Sequence, residues 1–341
     1  MYVVYHSSDS FAQVTAVSIV SLFENNKEMQ DIEVFLIEHD ISEENQDRIQ
    51  SLAKKYSRTI SFIPMPDINK QQNLGLQSIK STWLYDSFCR MYLDEILPSY
   101  VDRVLYLDGD VLVNDSLKEL WETDLEGKCA AAVTDSLGEE YYELFGLSQT
   151  AKYCNSGVIL IDLKKWHEQE IGKKVAKYVR ERNGYVFFME QTVLNAVLDS
   201  QLYILHPKYN AFTLMLCLSH MEHMNLRKPK RFYCEQKIQE AVGHPCLIHL
   251  TTCFFTVNRA WIANNNHPAR DNYIQYAKLT PWQNEPLLPD TRGLKKRFVD
   301  FFVQHLPKSF VLAFAGYLYR NSRVSRIRKE ICLHSNTLKC N

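Results

Sequence analysis

The first 63 residues alternate short apolar runs with helical patterns, and this alternation is the strongest constraint on the fold. Strands are predicted at residues 2–5, 32–37 and 59–63, and helices at residues 11–24 and 42–56. A β-α-β-α-β succession folds as a parallel sheet with right-handed crossovers, which is the half-fold that binds nucleotides. No Gly-x-Gly-x-x-Gly or Walker sequence follows any of these strands, so phosphate groups need another ligand. A metal ion is the natural substitute.

Two aspartates that follow a short apolar run are the clearest chemical feature of the sequence. Residues 104–107 are typical of a strand covered on both faces, and Asp108, Gly109 and Asp110 come directly after them. Ligands bind beyond the carboxyl ends of strands in open α/β sheets, so the carboxylates are placed to hold a divalent cation on a diphosphate, with Gly109 leaving room for the ligand. The motif alone also fits a polar turn. His249 ends another apolar run and is available as a third metal ligand, although a single histidine at a strand end is structural in most proteins.

Other polar side chains lie beside apolar segments, where they either contact a ligand or face solvent. Arg90 lies within a helix predicted over residues 83–96 and is either a snorkelling surface residue or a ligand of the diphosphate. Residues 130–135 read as a strand, a long helix is predicted from residue 163, and an irregular, substrate-facing insertion is predicted over residues 209–246. The polar residues that accompany these and neighbouring segments are Asp135, Asn155, Ser156, Glu190, Gln191 and Asn195.

The composition is that of a globular protein. With 341 residues, of which 46% are hydrophobic, the chain can bury a large core as one α/β domain, or as one domain with an appendage. Its nine cysteines are scattered without a Cys-x-x-Cys pair, so we expect reduced thiols rather than a disulfide framework or a zinc site. The first residues have neither a basic segment nor a sustained apolar one, so no secretory signal is predicted and the protein is expected in the cytoplasm.

Charge is distributed unevenly along the chain. Residues 291–341 contain eleven Lys or Arg against two acidic residues, which gives this tail a formal charge of +9 and the remainder −10. Apolar residues recur at helical spacing over residues 294–302, and the apolar run 310–319 is shorter than the roughly 20 residues that a membrane span needs. We therefore predict a catalytic domain over residues 1–280 and a basic amphipathic helical region over residues 281–341 that lies on an anionic membrane surface. The alternative is a helical hairpin packed on the catalytic domain with its charges solvated, and no nucleic-acid partner is expected.

Taken in order, these segments resemble glycosyltransferase family 8, the retaining α-glycosyltransferases that include bacterial lipopolysaccharide galactosyl- and glucosyltransferases and are related to glycogenin. The resemblance covers roughly residues 1–280 and rests on the segments Ser8 to Phe11, Arg90, Tyr106 to Val113, Asn155 to Ile161, Glu190 to Asn195, Tyr209-Asn210 and His249 to Trp261. It implies an α/β fold of the nucleotide-diphospho-sugar transferase (GT-A) type, with a central mixed, mainly parallel sheet flanked by helices and a helical C-terminal appendage. The implied reaction moves glucose or galactose from UDP-glucose or UDP-galactose to a glycan or lipid-linked saccharide, as in lipopolysaccharide biosynthesis. If the basic tail is a peripheral anchor, it would hold the enzyme at the inner face of the plasma membrane, where lipid-linked acceptors are.

The resemblance also implies roles for individual residues. The divalent metal, Mn²⁺ or Mg²⁺, would be held by Asp108, Asp110 and His249. The uridine would contact Asp9, Ser10 and Phe11. Arg259 stands where a lysine of the family contacts the diphosphate. The residues implied around the transferred sugar are Arg90, Asp135, Asn155, Ser156, Glu190 and Gln191, while Tyr209 and Asn210 match an element near the acceptor. Gln191 is the family-matched group nearest the reacting centre, with Glu190 as an alternative nucleophile and Asp135 beside them.

Three departures from the family pattern bear on these roles. Ser8 replaces an acid and Phe11 replaces a tyrosine in the first loop, so stacking on uracil survives but a hydroxyl is lost. Glu190 stands in place of an aspartate, and the segment from His249 to Trp261 lacks a glycine and carries extra residues, which is expected to change how this lid closes.

Two other functions stay open. One is a haloacid-dehalogenase-type phosphatase, for which no convincing paired-acid segment is found, and the other is a sugar-nucleotide-binding module without turnover.

Overall fold

The computed structural model describes residues 1–76 and 86–334, and its strands form two sheets. The strands are β1 (Tyr2–Ser8), β2 (Glu33–His39), β3 (Thr59–Pro64), β4 (Arg103–Leu107), β5 (Val111–Val113), β6 (Ala130–Thr134), β7 (Cys154–Asp162), β8 (Leu202–Ile204), β9 (Ala211–Phe212) and β10 (Leu247–His249). The large sheet has seven strands in the order β3-β2-β1-β4-β7-β6-β8, and the small one has the order β5-β10-β9.

The large sheet is mixed and mainly parallel, which confirms the fold class predicted from the sequence. Strand β1 runs parallel to both β2 and β4, β2 runs parallel to β3, and β6 runs parallel to β8. Only β7 runs antiparallel to its neighbours, β4 and β6. The chain moves outward from β1 to β3 and then returns to place β4 on the other side of β1, so the order reverses there, as it does where α/β sheets bind ligands.

The helices cover both faces of the large sheet. Successive β1 residues point to opposite faces, so that Val3 and Tyr5 pack in one core cluster and Val4 packs in the other, with Phe88 and Trp166. The helices are α1 (Ala12–Glu24), α2 (Glu43–Tyr56), α3 (Ile68–Gln71), α4 (Leu93–Ile96), α5 (Lys118–Trp121), α6 (Tyr142–Phe145), α7 (Leu163–Glu168), α8 (Ile171–Glu181), α9 (Met189–Leu198), α10 (Thr213–Cys217), α11 (His220–Arg227), α12 (Glu235–Gly243), α13 (Arg270–Ala277), α14 (Leu294–His305), α15 (Lys308–Tyr317) and α16 (Val324–His334).

The small sheet determines where His249 lies. Strand β10 pairs antiparallel with β5, so that His249 lies opposite Val111, the residue that follows Asp110. Because β5 continues directly from the Asp108-Gly109-Asp110 turn after β4, this pairing brings a histidine from 139 residues further along the chain to the two aspartates.

Three predictions about helices are wrong. The described part of the predicted helix 83–96 is a 3₁₀ turn (Ser87–Met91) followed by α4, while Trp83 lies outside the described residues. The long helix predicted from residue 163 is two helices, because Glu170 between α7 and α8 has a left-handed backbone with φ of 52°. The irregular insertion predicted at residues 209–246 contains α10, α11 and α12, and α11 begins with a Ser219–Glu222 capping box that the sequence displays.

The C-terminal helices confirm a helical appendage. Helix α15 continues through a π-helical turn, Leu318–Arg323, into α16, and one side of this continuous segment packs on the rest of the protein. Val311, Leu312 and Gly316 are buried where α15 meets α11, and Tyr319, Ile327 and Ile331 join a cluster with Tyr141 and Phe145. Within the described ranges, no helix is long and apolar enough to cross a membrane.

All but one of the cysteines within the described residues have free thiols. The thiols of Cys89, Cys129, Cys154, Cys217, Cys234, Cys246 and Cys253 are free. Cys332 is disulfide-bonded, so the prediction of reduced thiols is wrong there.

Candidate active site

A cleft of about 960 Å³ opens where the first strands of the large sheet end. The cleft runs across the edge of the sheet from β1 to β6. The His6–Phe11 segment lies at the end of β1, and the Asp108-Gly109-Asp110 turn lies at the end of β4. Asn155 lies at the start of β7 and Asp135 at the end of β6. Every residue predicted from the sequence to contact the donor or to act in catalysis lines this cleft, except Asp9.

Asp108, Asp110 and His249 form a compact cluster of potential metal ligands. One ligand atom from each residue lies within 4.8 Å of the others. The His249 Nε2 atom is 3.2 Å from Asp110 Oδ1 and 3.7 Å from Asp108 Oδ2. Two carboxylates and one imidazole are a donor set suited to Mn²⁺ or Mg²⁺.

A chain of hydrogen bonds fixes which ring nitrogen of His249 faces the carboxylates. The backbone N–H of Gly157 donates to Asn155 Oδ1 at 3.0 Å, so this oxygen is an acceptor. Asn210 must therefore present its Nδ2 to Asn155, at 2.8 Å, and its Oδ1 to His249 Nδ1, at 3.1 Å. With Nδ1 donating to an amide oxygen, Nε2 is the ring nitrogen that is directed at the two aspartates. Metal-ligating histidines are normally oriented in this way, so the residues fit a divalent cation.

Each of the two aspartates forms an ion pair with an arginine. Arg90, only 3% exposed, donates to Asp108 Oδ1 at 2.9 Å, to the Ser156 carbonyl at 2.6 Å and to the Ser87 carbonyl at 3.0 Å. Arg259 forms an ion pair with Asp110 through Nη1, which also donates to the Leu250 carbonyl at 2.6 Å. Burial alone would raise the pKa of Asp110, but the adjacent His249 and Arg259 hold that pKa well below its usual range.

An array of amides and carboxylates lies next to the metal-ligand cluster. Gln191 Oε1 accepts from the Ser156 N–H and from Asn155 Nδ2, each at 3.2 Å, and Gln191 Nε2 donates to Asp135 Oδ2 at 3.1 Å. The Gln191 amide is therefore held in one orientation, because a backbone N–H determines which of its atoms is the oxygen.

Glu190 lies behind this array and is extensively hydrogen-bonded. Its Oε2 accepts from Ser87 Oγ at 2.7 Å, and its Oε1 accepts from Ser156 Oγ at 3.1 Å and lies 3.5 Å from Arg90 Nη1. The start of α9 carries these residues on an unusual backbone, since Phe188 and Met189 both have left-handed φ values, of 55° and 54°. Two successive strained residues cost free energy, and such strain is concentrated at functional sites.

The opposite end of the cleft is lined by aromatic and small polar groups. Phe11 packs edge to face on Trp261 with 5.5 Å between ring centroids, and Ser10 lines the cleft beside it. Burial and the charge of Arg90 lower the pKa of His6 to about 4, so its imidazole is neutral here. Asp9 does not line the cleft.

The carboxylate of Asp9 instead binds the start of α2. Its Oδ1 accepts from the Ser42 N–H, Ser42 Oγ and Asn45 Nδ2 at 2.8–2.9 Å, and these hydrogen bonds lower the pKa of Asp9.

Glycine is needed at position 109 for packing within the protein as well as for ligand access. A Cβ at this position would lie 2.5 Å from Thr15 Oγ1 and 3.2 Å from the Phe11 ring. The space next to the turn is therefore occupied by α1 and the first loop of the protein itself.

Several cleft residues were not identified from the sequence as functional. Ser87, Arg227 and Arg323 were not identified because no local pattern distinguishes them, and the last lies in the appendage, far along the chain. Tyr209 and Asn210, by contrast, were identified from the sequence as a family-matched pair. Both are buried and neither lines the cleft, but Asn210 orients His249 from behind it.

A family model, two relatives and one solved structure show what this chain is similar to. The sequence model described as "Glycosyl transferase family 8" matches residues 2–251. General stress protein A of Bacillus subtilis is 27% identical over 286 residues, covering 83% of this chain and 94% of that protein. The lipopolysaccharide 1,2-glucosyltransferase of Escherichia coli K12 is 25% identical over 325 residues, covering 93% and 90%. The crystal structure of the galactosyltransferase LgtC with donor and acceptor sugar analogues superposes with a TM-score of 0.68 at 21% identity, covering 88% of this chain and all of that one, which indicates a shared fold.

Proposed function

This chain belongs to glycosyl transferase family 8, and from that premise we propose that it transfers glucose or galactose from a UDP-sugar to a glycan or glycolipid acceptor with retention of anomeric configuration. The observation that carries the proposal is the convergence of Asp108, Asp110 and His249 in one cleft with the ordered amides of Asn155 and Gln191. The alternative of a haloacid-dehalogenase-type phosphatase has no support from the family match.

We assign a divalent metal, Mn²⁺ or Mg²⁺, to Asp108, Asp110 and His249. When bound, this ion supplies positive charge against the diphosphate as it leaves the sugar. Arg259 adds a second cation from the lid segment, because its guanidinium is already directed at Asp110. Arg90 acts differently: its guanidinium is committed to Asp108 and two backbone carbonyls, so it orients a metal ligand rather than reaching for the donor.

The remaining donor contacts follow the order of the strands. We place the uracil against Phe11 and Ser10 at the end of β1, and the transferred sugar beside β7 and β6, where Asn155 and Ser156 can bond its hydroxyls. Asp9 supports this arrangement from outside the cleft, because it fastens the first loop to the start of α2.

Chemistry at the anomeric carbon is assigned to the side chains at the start of α9. The Gln191 amide is held by Asn155, Ser156 and Asp135, so it is preorganised to stabilise charge that develops on the sugar ring in the transition state. Glu190 has two serine hydroxyls and Arg90 on its oxygens, which makes it a less reactive nucleophile. We assign Glu190 to positioning, with Asp135 orienting Gln191.

The proposed function is tested by consumption of UDP-sugars by the purified protein. We expect UDP release from UDP-glucose or UDP-galactose that requires a divalent cation, and loss of release in Asp110→Ala. Asp115→Asn is a matched control, because Asp115 is an exposed aspartate just after β5 that lines no part of the cleft. Full activity in excess chelator would contradict the metal assignment. UDP-sugar binding without any turnover would support a binding module instead of an enzyme.

We also propose that the C-terminal helices rest on an anionic membrane surface, on the cytoplasmic face where lipid-linked acceptors are presented. Helices α14 and α15 leave apolar side chains exposed on the surface, among them Leu294 at 85%, Phe298 at 65% and Phe301 at 56%. Lys295 and Arg297 lie beside them on α14, and each basic residue adds on the order of 1 kcal/mol on anionic lipid. The alternative, a helical hairpin packed on the catalytic domain, also has support, because the other side of the appendage packs on the protein.

Membrane binding is tested with surface substitutions rather than truncation, because removing the appendage would also strip Tyr319 from a buried cluster. The double variant Phe298→Ser/Phe301→Ser is expected to lose co-sedimentation with vesicles containing phosphatidylserine, while its Tm stays near that of the wild type. The control is Met221→Ser, which removes an equally exposed apolar side chain from α11. Equal sedimentation of all three proteins would refute the membrane proposal.

A further inference from the structure

Two arginines from distant parts of the chain line the cleft beyond the end of β6. Arg227 is the last residue of α11, and Arg323 is the last residue of the π-helical turn in the appendage. Each guanidinium lies over an aromatic ring, Arg227 over Tyr319 at 4.8 Å from the ring centroid and Arg323 over Phe188 at 4.4 Å. The appendage therefore contributes a charged side chain to the same cleft that holds the metal-ligand cluster.

Neither arginine has an ion-pair partner among the residues that the structure describes. The partners of Arg227 are uncharged: it donates to the Ser136 carbonyl at 3.3 Å and also interacts with the Tyr319 hydroxyl. In contrast, Arg90, Arg259 and Arg292 are each paired with a carboxylate. Arg227 is half-buried, whereas Arg323 is exposed at the rim of the cleft. A half-buried cation without a counter-ion is stabilised when an anion joins it, and Arg323 adds a second positive charge beside it.

Nearby carboxylates do not supply that anion. Asp135 favours the charged form of Arg227, but its Oδ2 is bonded to Gln191 and Asn155 rather than to an arginine. The buried Glu140 Oε2, in the part of the chain that is described, makes no hydrogen bond and no ion pair with either arginine.

The position of the pair separates it from the donor diphosphate. The cluster of potential metal ligands is at the end of β4, whereas the Arg227 contact with Ser136 is just past the end of β6. Neighbouring strands lie about 4.8 Å apart, and β4 and β6 are two strand spacings apart, which is about 10 Å. The arginines thus lie on the far side of the proposed sugar site from the cluster of potential metal ligands.

We propose that Arg227 and Arg323 form an anion-binding subsite for the acceptor, so that the acceptor saccharide carries a phosphate or carboxylate group close to the hydroxyl that receives the sugar. This inference rests on the proposed glycosyltransferase function. A guanidinium pair suits either group, because its planar N–H donors match the oxygens of phosphate and carboxylate.

The test compares matched saccharide probes on the full-length protein loaded with UDP and Mn²⁺. Methyl glucoside, methyl glucoside 6-phosphate and methyl glucuronide are titrated calorimetrically, and the quantity of interest is the ratio of the Kd of the neutral probe to that of each charged probe. We expect a ratio of about 10 or more for at least one charged probe, since charge-assisted hydrogen bonds are worth a factor of this size. The better charged probe identifies the group as phosphate or carboxylate.

Arg323→Gln is the decisive variant, because Arg323 makes no hydrogen bond in the described chain and its loss should leave the fold intact. In this variant the ratio is expected to fall toward 1, and Arg323→Lys is expected to retain part of it. Arg328→Gln is the matched control, since Arg328 is an exposed arginine of α16 outside the cleft, and its ratio should equal that of the wild type.

Two results would overturn the subsite. One is a wild-type ratio near 1, and the other is an Arg323→Gln variant that binds all probes more weakly but keeps the wild-type ratio, as a purely structural arginine would. Failure of the proposed function is distinguished separately, because it would appear as an absence of UDP-sugar consumption by the wild-type protein, whatever the ratio.

Discussion

Replacing Gly157 with alanine tests the assigned metal site without removing any ligand. Gly157 lies in β7 directly behind the ligand cluster, where a Cβ would overlap His249 Cε1 and lie 2.7 Å from Asp108 Oδ2. The second distance is about 0.7 Å inside the 3.4 Å at which ordinary contact begins. Both side chains would have to move, although Asn210 holds His249 at 3.1 Å and Arg90 holds Asp108 at 2.9 Å.

The expected cost follows from the size of that displacement. Overpacking a buried site typically costs about 1–3 kcal/mol of folding free energy, so a modest drop in Tm is expected. The effect on activity should be larger, because a misplacement on the order of 1 Å in a catalytic constellation can cost about 100-fold. We therefore expect kcat/KM for UDP-sugar turnover to fall about 100-fold and the Kd for Mn²⁺ to rise with it.

The assay is a Mn²⁺ titration of UDP-sugar turnover, run beside thermal unfolding of the same samples. Gly243→Ala serves as the control, since Gly243 ends α12 and nothing lies within 4 Å of its added Cβ. A Gly157→Ala protein that folds normally and keeps wild-type Mn²⁺ affinity and kcat/KM would show that Asp108 and His249 do not act together on a metal.

Further predictions concern the ligand charge, the sugar site and the response to acid. Asp108→Asn should abolish most Mn²⁺-dependent UDP binding in a calorimetric titration, because a neutral amide holds a hard cation poorly; unchanged binding would contradict its ligand role. Gln191→Ala should lower kcat more than it raises the Kd for UDP-sugar, and steady-state kinetics showing the reverse would make Gln191 a binding residue. Glu190→Gln should keep measurable turnover if Glu190 only positions, whereas a glycosyl adduct trapped on Glu190 and detected by mass spectrometry would make it the nucleophile. Burial and the charge of Arg227 lower the pKa of His223 from 6.5 to about 3, so the unfolded chain binds the extra proton between these values. The free energy of unfolding from urea titrations should therefore fall as pH drops below 6.5, by about 2 kcal/mol at pH 5 for this residue, and less so in His223→Gln.

Local sequence patterns predicted the first half of the large sheet, from β1 to β3, closely. The strand at residues 59–63 and the helix from Ser42 to residue 56 agree with the structure within about a residue, because apolar periodicity and a capping serine are encoded locally. The position of Asp108 and Asp110 was predictable for another reason: β4 ends at Leu107, which puts both aspartates at a strand end that the sequence displays.

What the sequence did not show depends on contacts between distant segments. Arg90 was read as part of a helix, but its 3₁₀ turn directs the guanidinium to Asp108 and to the Ser156 carbonyl, and no local pattern encodes those partners. The contribution of Arg323 to the cleft requires the appendage to dock beside α11, which depends on side-chain fit over a separation of about 95 residues.

The π-helical turn at Leu318–Arg323 makes the length of the appendage as important as its chemistry. Leu312 and Ile331 are both buried against the protein, yet 19 residues of uninterrupted α-helix would turn them about 100° apart around the axis. The wider turn between them takes up this rotation, so both ends of the rod face inward while Arg323 stays over Phe188. Deleting one residue from the turn would restore an ordinary α-helix, and all residues of α16 would then be rotated around the helix axis. The cleft contact of Arg323 and the buried anchor at Ile331 could then no longer form together, so a single-residue deletion here matters even where both of these side chains are retained.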